Sequence, residues 1–153
     1  MKSAGNLLKY ILVLFFLIPA YSFTSQPTVK KGNLKVIVNK MRNSAGQIGF
    51  SLYNSDKGFP NHPENAISNV FVKNNGTSVE YTFTNIVMGT YAIAVFHDEN
   101  SDKKINTNWL GIPKEGVGVS NNAKGSFGPP KFDDAKFDFN KPEQTITISL
   151  NYL

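Results

Sequence analysis

Apolar residues fall on every second position through most of this chain, and no stretch outside the first residues carries the three-and-four spacing of an amphipathic helix. Successive side chains of an extended strand point to opposite faces, so such a segment has one apolar and one polar side. Segment 47–53 puts Ile48, Phe50 and Leu52 on one face, 67–73 does so with Val70 and Val72, and 143–152 with Ile146, Ile148 and Leu150. Segments 34–38, 78–83 and 132–139 read as further strands. Segment 90–97 is apolar on both faces, which places it centrally in a sheet. Apolar faces of this kind are buried by stacking two sheets. The expected fold is therefore all-β: an antiparallel immunoglobulin-like or transthyretin-like β-sandwich of about seven strands.

Turn chemistry punctuates the strands. Arg42-Asn43-Ser44-Ala45-Gly46 is a turn cluster, and Asn74-Asn75-Gly76 predicts a hairpin, because Asn and Gly tolerate positive φ. Gly89-Thr90-Tyr91 at the entry to the central strand matches a tyrosine corner, whose hydroxyl bonds back to the backbone upstream. A Tyr91 that merely packs is the plainer alternative.

The chain begins with Lys2 and Lys9, an apolar run over 10–18, the breaker Pro19, and the small residues Ala20 and Ser22. That is the layout of a secretory signal peptide, 1–22. The apolar run falls short of the roughly 20 helical residues that span a bilayer, which weighs against a transmembrane anchor. There is no cysteine, so a lipoprotein anchor and disulfides are both closed, and packing, hydrogen bonds or an ion must hold the fold. The expectation is an exported protein, periplasmic or secreted, with no stable membrane insertion after cleavage. It has a short extension over 23–32 and a single domain over 33–153. About 130 residues remain after the leader, enough to bury one core. The formal charge of +5 falls by two without Lys2 and Lys9, and the remaining Lys and Arg are scattered with no basic run. Such a surface carries no nucleic-acid footprint.

Two segments do not read as strands. Segment 54–66 contains Gly58, Pro60 and Pro63, and 98–130 is far longer than an ordinary connection, with room for a short strand near 116–119. Within it, Asp98, Asn100, Asp102 and Asn106 stand at positions one, three, five and nine of a tight loop, the Lys104 carbonyl at seven and the apolar Ile105 at eight. Calcium takes about six to eight oxygens, and short Asp and Asn side chains at this spacing wrap a single ion. Lys103 stands where glycine serves the sharp turn, and Trp109 where a two-oxygen acid is usual; Asn108 or Glu115 is left to complete the shell. Calcium here is expected in the weak range of about 10⁻⁴–10⁻³ M. The competing expectation is an Asp/Asn turn that caps its own backbone.

Function is expected on these loops, as is common on a rigid scaffold. Phe59, His62, Trp109, Glu115 and Phe127 are candidate rim residues for a glycan, peptide or protein. Trp109 serves either as an exposed platform or as a cover over the core edge. The non-enzymatic binding or structural module competes with a hydrolase-like enzyme using His97, Asp98 and Glu115 for acid–base work. There is no cysteine nucleophile and no Gly-x-Ser-x-Gly elbow, and no residue is assigned as catalytic. His97 shares the face of Tyr91, Ile93 and Val95 and reads as a structural strand-end histidine. The terminal strand over 143–152 pairs either within its own sheet or with a partner.

Three strings make the pattern specific. These are 89–100 (GTYAIAVFHDEN), 108–118 (NWLGIPKEGVG) followed by Ser120-Asn121-Asn122, and 127–135 (FGPPKFDDA). Together they resemble the DUF2141 family over nearly all of the chain beyond the leader. The resemblance implies an exported bacterial β-sandwich domain of unknown function, with no catalytic residues to carry over. The family's loop more often has glycine near Lys103 and an acid near Asn106, and this chain departs at both.

Overall fold

The computed structural model describes residues 28–153. The expected leader over 1–22 and the first part of the 23–32 extension lie outside the described residues. Among those residues, no helix is long and apolar enough to cross a membrane. Eight strands follow one another: β1 (Lys31–Asn39), β2 (Gln47–Tyr53), β3 (Ser68–Lys73), β4 (Ser78–Val87), β5 (Gly89–Asp98), β6 (Val117–Val119), β7 (Phe137–Phe139) and β8 (Glu143–Ser149). A single helical turn, α1 (Phe132–Ala135), precedes β7.

The strands form two sheets. One has the order β4-β1-β8, and the other β3-β2-β5-β6, with β7 also pairing β5. Their inner faces carry the residues that alternation selected. Leu34, Val36, Val38, Val79, Phe83, Ile148 and Leu150 meet Ile48, Phe50, Leu52, Tyr91, Ile93 and Val95 in one core, with Val70, Val72 and Ile146 packed against it. Burying a side chain of this size stabilises by about 1.5–3 kcal/mol, which is why the period of two dictates the layers.

The structure corrects the expected pattern in three places. β8 runs parallel to β1, with Val36 opposite Ile146 and Val38 opposite Ile148; the other ladders are antiparallel. The Asn74-Asn75-Gly76 turn makes no hairpin. It carries the chain from β3 in one sheet to β4 in the other, and Asn74 serves through its buried side chain, donating to the Asn43 carbonyl at 2.9 Å. The 132–139 strand is divided into α1 and the short β7, because 132–135 folds as a turn that places Ala135 against Ala92 and Val119.

β5 is covered on both faces. Outside the core face, Ala92 is sealed by Val119 and Ala135, with Phe59, Ala123 and Phe132 packed around them. Phe59 lies edge-on to Tyr53 at 5.3 Å and to Phe132 at 5.8 Å. β7 pairs the start of β5 and β6 its later half, leaving a gap in the ladder at Ile93. The Ser120 hydroxyl fills that gap: it accepts the Ile93 N–H at 2.9 Å and donates to the Ala135 carbonyl at 2.6 Å. Asn121 donates to the carbonyls of Asp134 and Lys136, and Asn122 accepts the Ser149 N–H. The Ser-Asn-Asn string is thus a clip that joins β5, α1 and β8.

Tyr91 is buried, and its hydroxyl donates to the Val87 carbonyl at 2.7 Å. Without this donor the corner loses one net hydrogen bond. Tyr91→Phe is therefore expected to cost about 0.5–1.5 kcal/mol in urea denaturation, with an unchanged denaturant slope.

Candidate functional site

The end of β5 sends two neighbouring side chains in opposite directions. His97 turns into the sandwich and is fully buried. Its Nε2 lies 2.8 Å from the Ala45 carbonyl, which can only accept, so Nε2 carries the hydrogen. Nδ1 then accepts from the Tyr152 hydroxyl at 2.7 Å. The Tyr152 oxygen in turn accepts the Arg42 backbone N–H at 3.0 Å, and the Arg42 guanidinium lies 4.6 Å over the Tyr152 ring. Gly116 passes so close to that ring that a Cβ would come within 2.5 Å of it. His97 therefore ties the C-terminal segment to the β1–β2 turn.

Asp98 faces the other way, also fully buried, and closes the loop that follows. Its carboxylate accepts the Lys103 N–H at 2.8 Å, the Asp102 N–H at 3.1 Å and the Gln47 amide at 2.7 Å. Lys103 adopts φ 63°, the left-handed turn that glycine usually supplies. The sharp bend is thus made without glycine, held by Asp98. Glu115 is buried beneath the loop and accepts two backbone N–H groups, Glu99 at 3.0 Å and Asn106 at 2.9 Å. It is a support for the loop and not an exposed rim residue.

On the loop's outer side, Asn100, Asp102 and Asn106 share one network. Asp102 Oδ2 accepts the Asn100 amide at 2.9 Å and the Asn106 amide at 3.0 Å, while Asp102 Oδ1 accepts the Lys104 N–H at 2.8 Å. These bonds, Asn106 first, hold the Asp102 carboxyl below its ordinary range. Glu99 is likewise held low, chiefly by the two-point hydrogen bond from Arg42 at 2.7 and 2.8 Å. Among the described residues no group of three or more His, Cys, Asp or Glu is placed to hold a metal. The oxygen-rich loop instead pairs two carboxylates with two amides. An amide's oxygen and nitrogen have nearly the same shape. A half-turn of Asn100 and Asn106 would present oxygen toward Asp102 without moving backbone, so the residue set fits calcium in type and proximity. Its deficit is charge, because Lys103 and Lys104 offset Asp98 and Asp102.

His97, Asp98 and Glu115 do not hydrogen-bond to one another; each is satisfied by its own partners. The remaining rim residues also separate. Phe59 packs inward, and His62 is exposed beside Glu64 at 3.0 Å. Trp109 is 90 % exposed and Phe127 fully so, which overturns the idea of Trp109 as a lid on the core.

Of these five, Phe59 borders an open hollow with Ser55, Asp56, Lys131, Phe132 and Asp133, and none lines a second concave feature. A half-open trough of about 490 Å³ crosses the outer face of β2, β3 and β5. Gly49, Ser51 and Ala94 lie along it with Phe71 and Phe96, whose rings meet edge-on at 5.9 Å. A side chain at Gly49 would strike the Phe96 ring, so glycine is what seats that ring against β2. Pro60, Asn61 and Glu64 come from the 54–66 loop, and Lys103, Lys104 and Ile105 from the oxygen-rich loop. Lys103 Nζ lies 5.8 Å from the Phe71 ring centre. The sequence signal for it was two phenylalanines and three small residues on strand faces that alternation reserves for polar side chains.

Glu115→Gln is expected to cost about 1–3 kcal/mol in urea denaturation, since one of its two N–H donors would then face an amide NH₂. An acid limit follows from Glu99 and Asp102. Their lowered values mean that the unfolded chain takes up the protons first, so the stability they contribute is present above the ordinary carboxylate value, 4.5 for Glu99. It is lost as pH falls through the lower folded values. Arg42→Gln is expected to flatten that loss when the urea midpoint is followed below pH 4.5.

The model of a bacterial family, described as "Uncharacterized protein conserved in bacteria (DUF2141)", matches residues 36–147. No curated protein and no solved structure matches the chain. The matched stretch runs from β1 to β8 and contains the Ser120 clip, the β5 end and the oxygen-rich loop. The chain belongs to the DUF2141 family.

Proposed function

We propose that this protein is an exported, non-enzymatic binding module of the periplasm or cell exterior, stiffened at its 98–106 loop by a weakly held calcium ion. The observation that carries this is the trough: a concavity within the usual size of ligand sites, walled on one side by Lys103, Lys104 and Ile105 of that loop. Asp98, Asn100, Asp102, Asn106 and the Lys104 carbonyl supply the oxygens, with water completing the shell. Holding the loop rigid holds the trough wall, which lowers the entropic cost of binding. Aromatic edges beside Asn61, Asn69 and Glu64 suit a glycan or an extended peptide. Support for a sandwich of the immunoglobulin-like or transthyretin-like type comes from the Tyr91 corner, and support for export from the signal-like pattern over 1–22. An acid–base role for His97, Asp98 and Glu115 has no comparable support, because their hydrogen-bonding capacity is spent inside the fold.

Thermal melting during a calcium titration tests the proposal. A dissociation constant of about 1 mM gives about 1.4 kcal/mol at about 10 mM calcium, an upward shift of roughly 4–6 °C. Asp102→Asn removes one carboxylate charge from the oxygen set and should abolish the shift. Lys103→Gly relieves the left-handed turn, removes a positive charge and should enlarge it. An unchanged melting temperature in the wild-type chain at millimolar calcium would remove the ion from the account.

A further inference from the structure

Residues 107–113 form a narrow hairpin. Thr107 bridges Pro113, and the Asn108 N–H donates to the Ile112 carbonyl at 2.9 Å. The Asn108 side-chain oxygen accepts the N–H groups of Leu110 at 2.9 Å and Ile112 at 3.0 Å, and its carbonyl accepts that of Gly111 at 3.0 Å. Every tip N–H from 110 to 112 is thus paired within the hairpin. The side chains it displays are apolar: Trp109 is 90 % exposed, Leu110 60 % and Ile112 39 %.

Exposed apolar side chains on a rigid, projecting tip call for a partner. What ordinarily keeps a loop out of an apolar phase is unpaired backbone, and here the N–H groups of Leu110, Gly111 and Ile112 are already satisfied. At the base of the hairpin stand Lys104 and Lys114, neither in an ion pair among the described residues. The neighbouring carboxylates are engaged elsewhere: Glu99 by Arg42, Glu115 by backbone N–H groups and Asp102 by the two asparagine amides. The hairpin therefore presents apolar side chains, with Lys104 and Lys114 in the segments that flank it. A sugar platform would need several side-chain hydrogen-bonders beside the indole, but the Asn108 side-chain oxygen is taken by its own backbone and Leu110 and Ile112 are aliphatic.

We infer that the 107–113 hairpin is a reversible anchor for an anionic lipid bilayer. Trp109, Leu110 and Ile112 enter the boundary between headgroups and acyl chains, where Trp is favoured, and Lys104 and Lys114 meet the lipid phosphates.

Trp109 is the only tryptophan in the chain, so tryptophan emission, excited selectively over the tyrosines, reports on the tip alone. The full chain is mixed, in the presence of EDTA, with vesicles of phosphatidylglycerol and phosphatidylcholine that carry brominated acyl chains. The emission should shift to the blue and be quenched by the bromines, and the pair Lys104→Gln with Lys114→Gln should weaken vesicle affinity about thirtyfold. Vesicle binding without quenching of Trp109, or no binding, overturns the inference. So does a blue shift that needs no lipid: one growing with protein concentration assigns the tip to a second copy, and one raised by a soluble oligosaccharide assigns it to a sugar.

Discussion

The fold depends on keeping β5 dry along its inner face and, on its outer face, over Ala92. Its inner face meets the opposite sheet through Tyr91, Ile93 and Val95. Its outer face carries Ala92, Ala94 and Phe96 where an ordinary sandwich strand would carry polar residues. The long connections are consequently a partial third layer: Phe59 from one, and Val119, Ala123, Phe132 and Ala135 from the other, close over Ala92 and Ala94. A ladder interrupted at Ile93 would expose an unpaired donor in that dry environment, and the Ser120 hydroxyl prevents it.

The same strand organises the polar chemistry at its end. Because successive side chains alternate, His97 and Asp98 leave one strand toward different compartments. His97 is locked to the C-terminal segment through Tyr152, and Asp98 bends the following loop by taking its N–H groups. Glu115 reinforces that bend from below. These buried polar groups are satisfied by hydrogen bonds within the fold. The features left unsatisfied are on the surface: the trough between two loops, the lysines beside it and the apolar hairpin tip.

The candidate site was legible unevenly. Asp98, Asn100, Asp102 and Asn106 stood out because oxygen side chains at alternating positions of a short loop are a local pattern; the structure joins the side chains of Asn100, Asp102 and Asn106, while Asp98 takes the loop's N–H groups from beneath. Lys103 was read as a misfit, yet it takes the left-handed turn because Asp98 receives its N–H. The trough was not identified. Phe71 and Phe96 come from strands far apart in the chain, and only the register that places Gly49 opposite both brings their rings together. The rim residues were correctly placed on loops, but whether a loop side chain points out, as Trp109 does, or in, as Phe59 and Glu115 do, is settled by what covers the loop.

The alternation of apolar residues alone determined the class of the fold, the inward face of each long strand and the central position of β5, because a strand's side-chain period is a property of neighbouring peptides. The tyrosine corner was readable for the same reason, since Tyr91 and Val87 are close in sequence. Which sheet each strand joined, the parallel course of β8 beside β1, and the passage of the Asn74 turn between sheets were decided only by the tertiary structure. Those outcomes depend on free energies of contact between segments a hundred residues apart, where no local period carries the information.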